Sequence, residues 1–300
     1  MQAGNTITQL DHIVKIIQPG LFVVAIILIF TEVIVLRLFD VKLSHKAGAV
    51  SLVSGMFVFG FEAIADFLFY LAIAYWLYEH RLFDLSFKWY VWVLCFVLYD
   101  LMFYLSHRIQ HRVRLLWCFH STHHSSNEMR LSSAVRGSMF DFIYTPPFFI
   151  WMCLFGIHPL MFIAVRSISR IWGILEHLNE NLLGRTPAWL NKIFITPDVH
   201  RVHHGKNYQY LDRNYSEIFS FWDRLFGTYE EFKQQPDYGI LKPVDTESFF
   251  AIQFGLFKDL IKDVQETKGW KNKLKLLYMP PGWYPDGRDY RAETLRKMAV

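Results

Sequence analysis

Thirteen histidines in 300 residues is an ordinary number, but their spacing is not. His107 and His111 form an H-x3-H box. His120, His123 and His124 form an H-x2-H-H box, and His200, His203 and His204 repeat it. A random chain of this composition would hold roughly 0.02 copies of H-x2-H-H, so two copies are a signal. Residues at i, i+3 and i+4 share one helix face, so each triplet is expected to aim three imidazoles at one point, and the first box two. His177, in Leu175-Glu176-His177-Leu178-Asn179, is a ninth candidate. Two six-coordinate metals offer roughly 12 positions, so nine imidazoles would leave about three open. Open positions beside a metal pair are what O2 or water needs. His12, His45, His80 and His158 lie in loops or termini and read as incidental.

Other polar groups stand near these boxes. Asp100, Tyr104 and His107 fall at i, i+4 and i+7 of one helix face, so Asp100 is a candidate acceptor for a ligating imidazole. Tyr104, Asn179 and Asn214 are further candidates for this supporting shell. Glu62 and Asp66 sit one turn apart within an apolar run, where carboxylates are costly and need a cavity or a partner helix. Trp222-Asp223-Arg224 and Phe226-Gly227-Thr228 read as scaffold.

The elements that must carry these residues are mostly apolar. Hydrophobic residues make up 53% of the chain and aromatics 18%, while charged residues are 19%, against roughly 25% in soluble domains. This excludes intrinsic disorder, and three cysteines (Cys95, Cys118, Cys153) exclude a disulfide scaffold. A net charge of +4 with no long basic run leaves no nucleic-acid footprint. Runs over 21–39, 52–78 and 89–105 are each long enough to cross most of a bilayer. The first is too long for a cleaved signal and is expected to stay as an anchor. Residues 140–175, broken by Pro146-Pro147 and by Gly156-Ile157-His158-Pro159, predict a helical hairpin, spanning or re-entrant. All but three of the 31 basic residues (Lys15, Arg81 and Lys88) fall on one side of these runs or at helix ends facing it. That places the N-terminus outside and the boxes in the cytosol. Residues 246–265 are amphipathic and fit two placements, on the membrane surface or packed as a cap helix.

The fold class expected is all-α: a multi-pass transmembrane helical protein with a cytosolic helical cap carrying a histidine-rich di-metal site. Residues 1–48 form the N-terminal region with the first span, 49–285 the main domain, and 286–300 a tail.

With the box order, Leu116-Trp117 before the second box, and His200-Arg-Val-His-His-Gly205 followed by Asn214-Tyr215 and Trp222-Asp-Arg-Leu-Phe-Gly-Thr228, the sequence resembles the fatty acid hydroxylase / sterol desaturase superfamily. These are integral-membrane di-iron enzymes. The resemblance covers roughly residues 50–285. Within the superfamily the sequence is most similar to alkylglycerol monooxygenases, through the third-box region, Tyr238-Gly239, Pro243 and the late turn at Trp283. It implies that His107, His111, His120, His123, His124, His200, His203 and His204 hold two irons, with His177 a further ligand, and that O2 is the co-substrate. Zinc can replace iron on purification, since both accept imidazole. The animal alkylglycerol enzymes carry a glutamate directly after the second histidine of the first box and use tetrahydrobiopterin. Here that position is Arg112, which argues against a pterin and is expected to face lipid phosphates. Asn214-Tyr215-Ser216 likewise departs from the usual Asn-Tyr-Gly.

The activity expected is insertion of one oxygen atom into a C–H bond of a membrane lipid, with desaturation as the rival reaction at the same site. A metal-holding membrane protein or transporter is the non-enzyme rival, disfavoured because the boxes sit at one interface rather than along a path. No Rossmann, haem-attachment or ferredoxin pattern is present, so electrons must come from a separate donor, a reductase with ferredoxin or a cytochrome b5-like protein. The membrane is a bacterial inner membrane, or the endoplasmic reticulum in a eukaryote.

Overall fold

The computed structural model describes residues 2–299, with side chains described at His12 and from Gly20 onward. Met1 and Val300, the outer limits of the first and last regions expected from sequence, lie outside the described residues, as does the side chain of Lys15.

Three helices are long and apolar enough to cross a membrane among the described residues. The first helix, α1 (Gln2–Leu38), carries such a segment over Gly20–Leu38. Next, α2 (His45–Ala65) runs through a π-helical turn (Asp66–Tyr70) into α3 (Leu71–Glu79), a continuous rod of 35 residues. The third is α4 (Trp89–Arg112). Only 6% of the second span's apolar window is buried within the protein, so its side chains are left for lipid. At about 1.5 Å per residue this rod is roughly 50 Å long, well beyond a ~30 Å hydrocarbon layer. Its first turns are accordingly held by the polar cap. Arg136 Nε donates to Ser51 Oγ at 2.9 Å, and Gln253 Nε2 to Ser54 Oγ at 2.9 Å.

After α4 the chain turns at Val113 into α5 (Arg114–His124), followed by the short helices α6 (Leu131–Ala134) and α7 (Asp141–Tyr144). The hairpin expected over 140–175 has only one helical arm. Pro146-Pro147 breaks the other into α7 and two 3₁₀ turns (Pro146–Phe148 and Ile150–Cys153), because proline lacks the donor a helix needs. The return arm is α8 (Pro159–Glu176), with proline at its first position and His158 as N-cap, accepting from Leu160 N–H. His158 is therefore no loose loop residue. It is buried among Tyr75, Tyr78 and Phe87.

The cap continues with α9 (Ala188–Asn191), α10 (Pro197–His203), α11 (Phe221–Leu225), α12 (Phe249–Glu266), α13 (Trp270–Tyr278) and α14 (Ala292–Lys297). Isolated bridges such as Gly205–Tyr238 tie its loops. Near the C-terminus, Arg296 donates to the Leu211 carbonyl and Glu293 pairs with Arg112. The membrane-side core is Val91, Cys95, Tyr99, Phe149, Met152, Ile157, Met161, Phe162 and Val165, where α4 meets α8 and the broken arm. All three cysteines are buried and free.

Candidate metal centre

All nine histidines come together where α4 ends, α8 ends, and α5 and α10 cross them. They form two groups rather than one cluster per box. His107, His111, His120, His124 and His203 offer ring nitrogens within 4.8 Å of one another, and so do His123, His177, His200 and His204. Each H-x2-H-H box is therefore divided. His120 and His124 go to the first group and His123 to the second; His200 and His204 go to the second and His203 to the first. Helix geometry gives the reason. Residues i and i+4 stack one above the other, whereas i+3 and i+4 are about 100° apart. At this close range a shared face resolves into two directions, and neighbouring histidines serve different centres.

The nitrogen spacing suits a metal. Nε2 of His124 lies 3.2 Å from that of His120 and 3.1 Å from that of His203. In the second group the Nε2 atoms of His177, His200 and His204 are 3.1–3.2 Å apart. For bonds of about 2.0–2.1 Å, adjacent ligands are roughly 2.9 Å apart in an octahedron and roughly 3.4 Å in a tetrahedron, so these separations fit imidazoles around one ion. Nε2 of His107 and of His111 are buried with no hydrogen-bond partner among the described residues. Buried polar atoms are normally satisfied, so these two nitrogens suit ligation to an electrophile such as a metal ion. Burial holds His123 down to about 4 and His203 down to about 3, keeping both imidazoles neutral, as metal ligation requires.

The opposite ring nitrogens are fixed from behind. Nδ1 of His107 meets the Tyr215 carbonyl at 2.8 Å, His203 that of Arg213 at 2.8 Å, His123 that of Arg136 at 3.0 Å, and His177 that of Gly173 at 2.7 Å. Two histidines have carboxyl groups beside them instead: Asp212 lies 3.4 Å from Nδ1 of His111, and Glu176, whose carboxyl pKa is pushed well up by burial, lies 3.3 Å from Nδ1 of His200 without a formed hydrogen bond. Sequence reasoning missed both. Glu176 directly precedes His177 and Asp212 lies two residues before Asn214, so nearness to motif residues was the available signal.

The loop after the third box is shaped for this task. Asp212 and Asn214 both adopt positive φ (55° and 54°), a conformation that Asn and Asp tolerate better than other non-glycine residues. The carbonyls of Arg213 and Tyr215 are thereby turned toward imidazoles. Buried Asp223 accepts from the N–H groups of Tyr215 and Ser216, at 2.8 and 2.9 Å. Asp100 touches no imidazole. It accepts from Ile218 N–H, Phe219 N–H and Trp222 Nε1, and so supports His107 only through this loop. Tyr104 bonds Thr228 Oγ1 and stacks on Phe226, again bracing the loop. Asn214 Nδ2 donates to the carbonyls of Val199 and Glu230, clamping α10 one residue before His200. Asn179 is not beside a ligand face either. Its side chain donates to the Met129 carbonyl, and its N–H donates to buried Glu32 of the first span. Arg112 pairs with Glu293 at 2.6 Å.

A cavity of about 500 Å³ adjoins the histidines. His107, His120, His123, His177 and His200 line it, with Phe67, Tyr70, Phe103, Phe149, Phe162 and Ile163. This is the size range of small-molecule sites. Glu62 and Asp66 line it too, and each is paired: Glu62 with Arg170, and Asp66 with Arg166. Both possibilities left open by the sequence, a cavity and a partner helix, are thus met. Glu217, held by Ser169 at 3.1 Å, also faces this space, and burial pushes its carboxyl up to about 8.

Residues 92–228 match the family model for fatty acid hydroxylase, and this stretch holds every box. The chain is 34% identical over 249 residues to an alkylglycerol monooxygenase of Caenorhabditis elegans, covering 78% of this chain and 47% of that protein. It is 32% identical over 252 residues to the Homo sapiens alkylglycerol monooxygenase, covering 83% and 54%. An ornithine lipid hydroxylase of Rhizobium tropici is 32% identical over 138 residues, 46% of this chain and 41% of that protein. The chain thus spans about half the length of these curated relatives. No solved structure matches it. Two histidine groups able to hold metal, set against three helices able to span a membrane, therefore belong to a chain that carries a fatty acid hydroxylase domain and is similar to alkylglycerol monooxygenases over most of its length.

Proposed function

We propose that this chain is an integral-membrane lipid monooxygenase whose nine histidines hold two irons, five imidazoles serving one ion and four the other. The observation that carries this reading is the opening of both histidine groups onto one cavity beside the spans, lined by aromatic and aliphatic side chains with paired acids and arginines among them. When bound, the irons supply O2 activation. The overall change is R–H + O2 + 2 e⁻ + 2 H⁺ → R–OH + H2O. The protein's own part is positional. Backbone carbonyls fix the tautomers of four imidazoles, carboxyl groups stand behind two more, and Phe103, Phe149 and Phe162 enclose an acyl or alkyl chain and keep water from it.

The histidines and the C-terminal ends of α4 and α8 face the cytosol in this reading, with the N-terminus on the other side, as the distribution of basic residues requires. Electrons come from a separate protein donor. Arg112, always cationic and engaged by Glu293, offers no acceptor to a pterin.

The test uses purified protein in lipid nanodiscs with ¹⁸O2 and candidate lipids: alkylglycerols, ornithine lipids and fatty acyl chains. One arm adds a reductase–ferredoxin pair and another a reduced pterin. Single ¹⁸O incorporation with about two irons per chain is expected. A double bond without ¹⁸O would convert the reading to desaturation. Full turnover with pterin alone would overturn the donor assignment and leave the rest intact.

A further inference from the structure

We propose that α12 and α13 form a platform lying on the bilayer leaflet at the metal-site side, and that it docks onto anionic lipid headgroups. The clearest observation is on α13. Trp270, Leu274 and Tyr278, each one turn from the next, are 67%, 49% and 55% exposed. Leu276, on the opposite side of the helix, is wholly buried against Cys118 and Leu260. The helix is therefore apolar on both sides, inward to pack the cap and outward toward nothing among the described residues. Lys271 and Lys275 flank the outward stripe on one edge and Lys273 on the other, and no acid occurs from Lys268 to Tyr278. Aromatic and leucine side chains between lysines suit the headgroup boundary, where the rings enter and the lysine stems extend to phosphates.

The height of the platform is fixed by two contacts. Arg114 N–H donates to the Met279 carbonyl at 3.1 Å, so α13 ends two residues past the end of the third span. At the other end, the Phe249 ring lies 5.1 Å from that of Phe57, where the second span begins to expose its apolar side chains (Met56 is 71% exposed). Phe250 next to it and Ile261, three turns along α12, are also exposed. Both helices thus present apolar residues at the level where the spans enter the bilayer. A basic face in water could instead receive an acidic protein such as an electron carrier, but an apolar stripe level with the span ends favours lipid. The positive charge selects an anionic leaflet.

The test places a spin label at Leu274→Cys, and as reference at Lys233→Cys, in full-length protein in nanodiscs of phosphatidylcholine with or without phosphatidylglycerol. The native cysteines are buried. In anionic discs the label at 274 should collide with O2 and be shielded from a water-soluble nickel chelate, unlike the label at 233. Adding K271E, K273E and K275E should raise nickel access by about threefold or more in anionic discs alone. Unchanged metal content in these variants would show an intact cap. Equal nickel access at 274 and 233 would overturn the proposal and leave the face to a protein partner. Dipolar broadening between labels would assign it to a second copy. Equal shielding in both lipid compositions would overturn the anionic preference.

Discussion

The two histidine groups differ in how they are built. The first takes two imidazoles from α4, two from α5 and one from α10, and its carboxylate, Asp212, sits on a loop. The second takes one from α5, two from α10 and its fourth, His177, from the end of α8, and its carboxyl group, Glu176, is buried on that same helix. The first group has a donor to spare. The second has four members and depends on a single residue delivered by a helix that starts deep in the membrane-side core. Redundancy and sole supply should respond differently to the same substitution.

The sharpest way to break this comparison is His177→Ala. It should lower metal content from about two ions per chain to about one and reduce turnover by about 10²-fold or more, read by metal analysis and product formation. Retention of both ions would show that three imidazoles suffice and that the groups are equivalent. Glu176→Gln keeps the shape and replaces the carboxyl group behind His200 with an amide. A loss of about 10- to 100-fold in affinity for the second ion is expected, with the fold intact, measured by competition with a chelator. Asp100→Ala leaves a buried donor at Ile218 and two part-buried donors at Phe219 and Trp222 without their acceptor. It should destabilise by about 3 kcal/mol, seen as a lower midpoint of thermal unfolding, and loosen the first group through the Tyr215 carbonyl. His111→Ala, in the five-member group, should leave about two ions bound and lower affinity less than His177→Ala does. Arg112→Ala should do least, within about 1 kcal/mol, because both it and its partner Glu293 are part-exposed and screened by solvent.

Much of this was legible in the sequence, and the exceptions have physical causes. The boxes were unmistakable because imidazole spacing on a helix is a local property. Their division between two centres was not, because it depends on where α4 and α8 approach. The three spans follow from composition alone. The broken arm over 141–153 was misjudged because Pro146-Pro147 there produces turns rather than a shorter helix. Asp100 was assigned to the right neighbourhood and the wrong partner: helix periodicity puts it on the face of His107, while the loop over 215–223 arrives from more than 100 residues away. Asp212 and Glu176 carry no motif of their own. Their roles arise only when α10 and the loop after it fold back onto α4 and α8.

The division of adjacent histidines has a consequence for how the protein becomes loaded. His123 and His124 are joined by one peptide bond, as are His203 and His204, yet each pair serves both centres. An ion captured by one group freezes the helical turn that carries half of the other group. The second ion then meets donors whose ordering entropy has already been spent, and it binds more tightly than it would to a mobile site. Uptake should therefore be cooperative, with singly charged chains fewer during titration than two independent sites would give. A cell short of the metal would then hold more full and empty molecules, and fewer half-filled ones, than two independent sites would give.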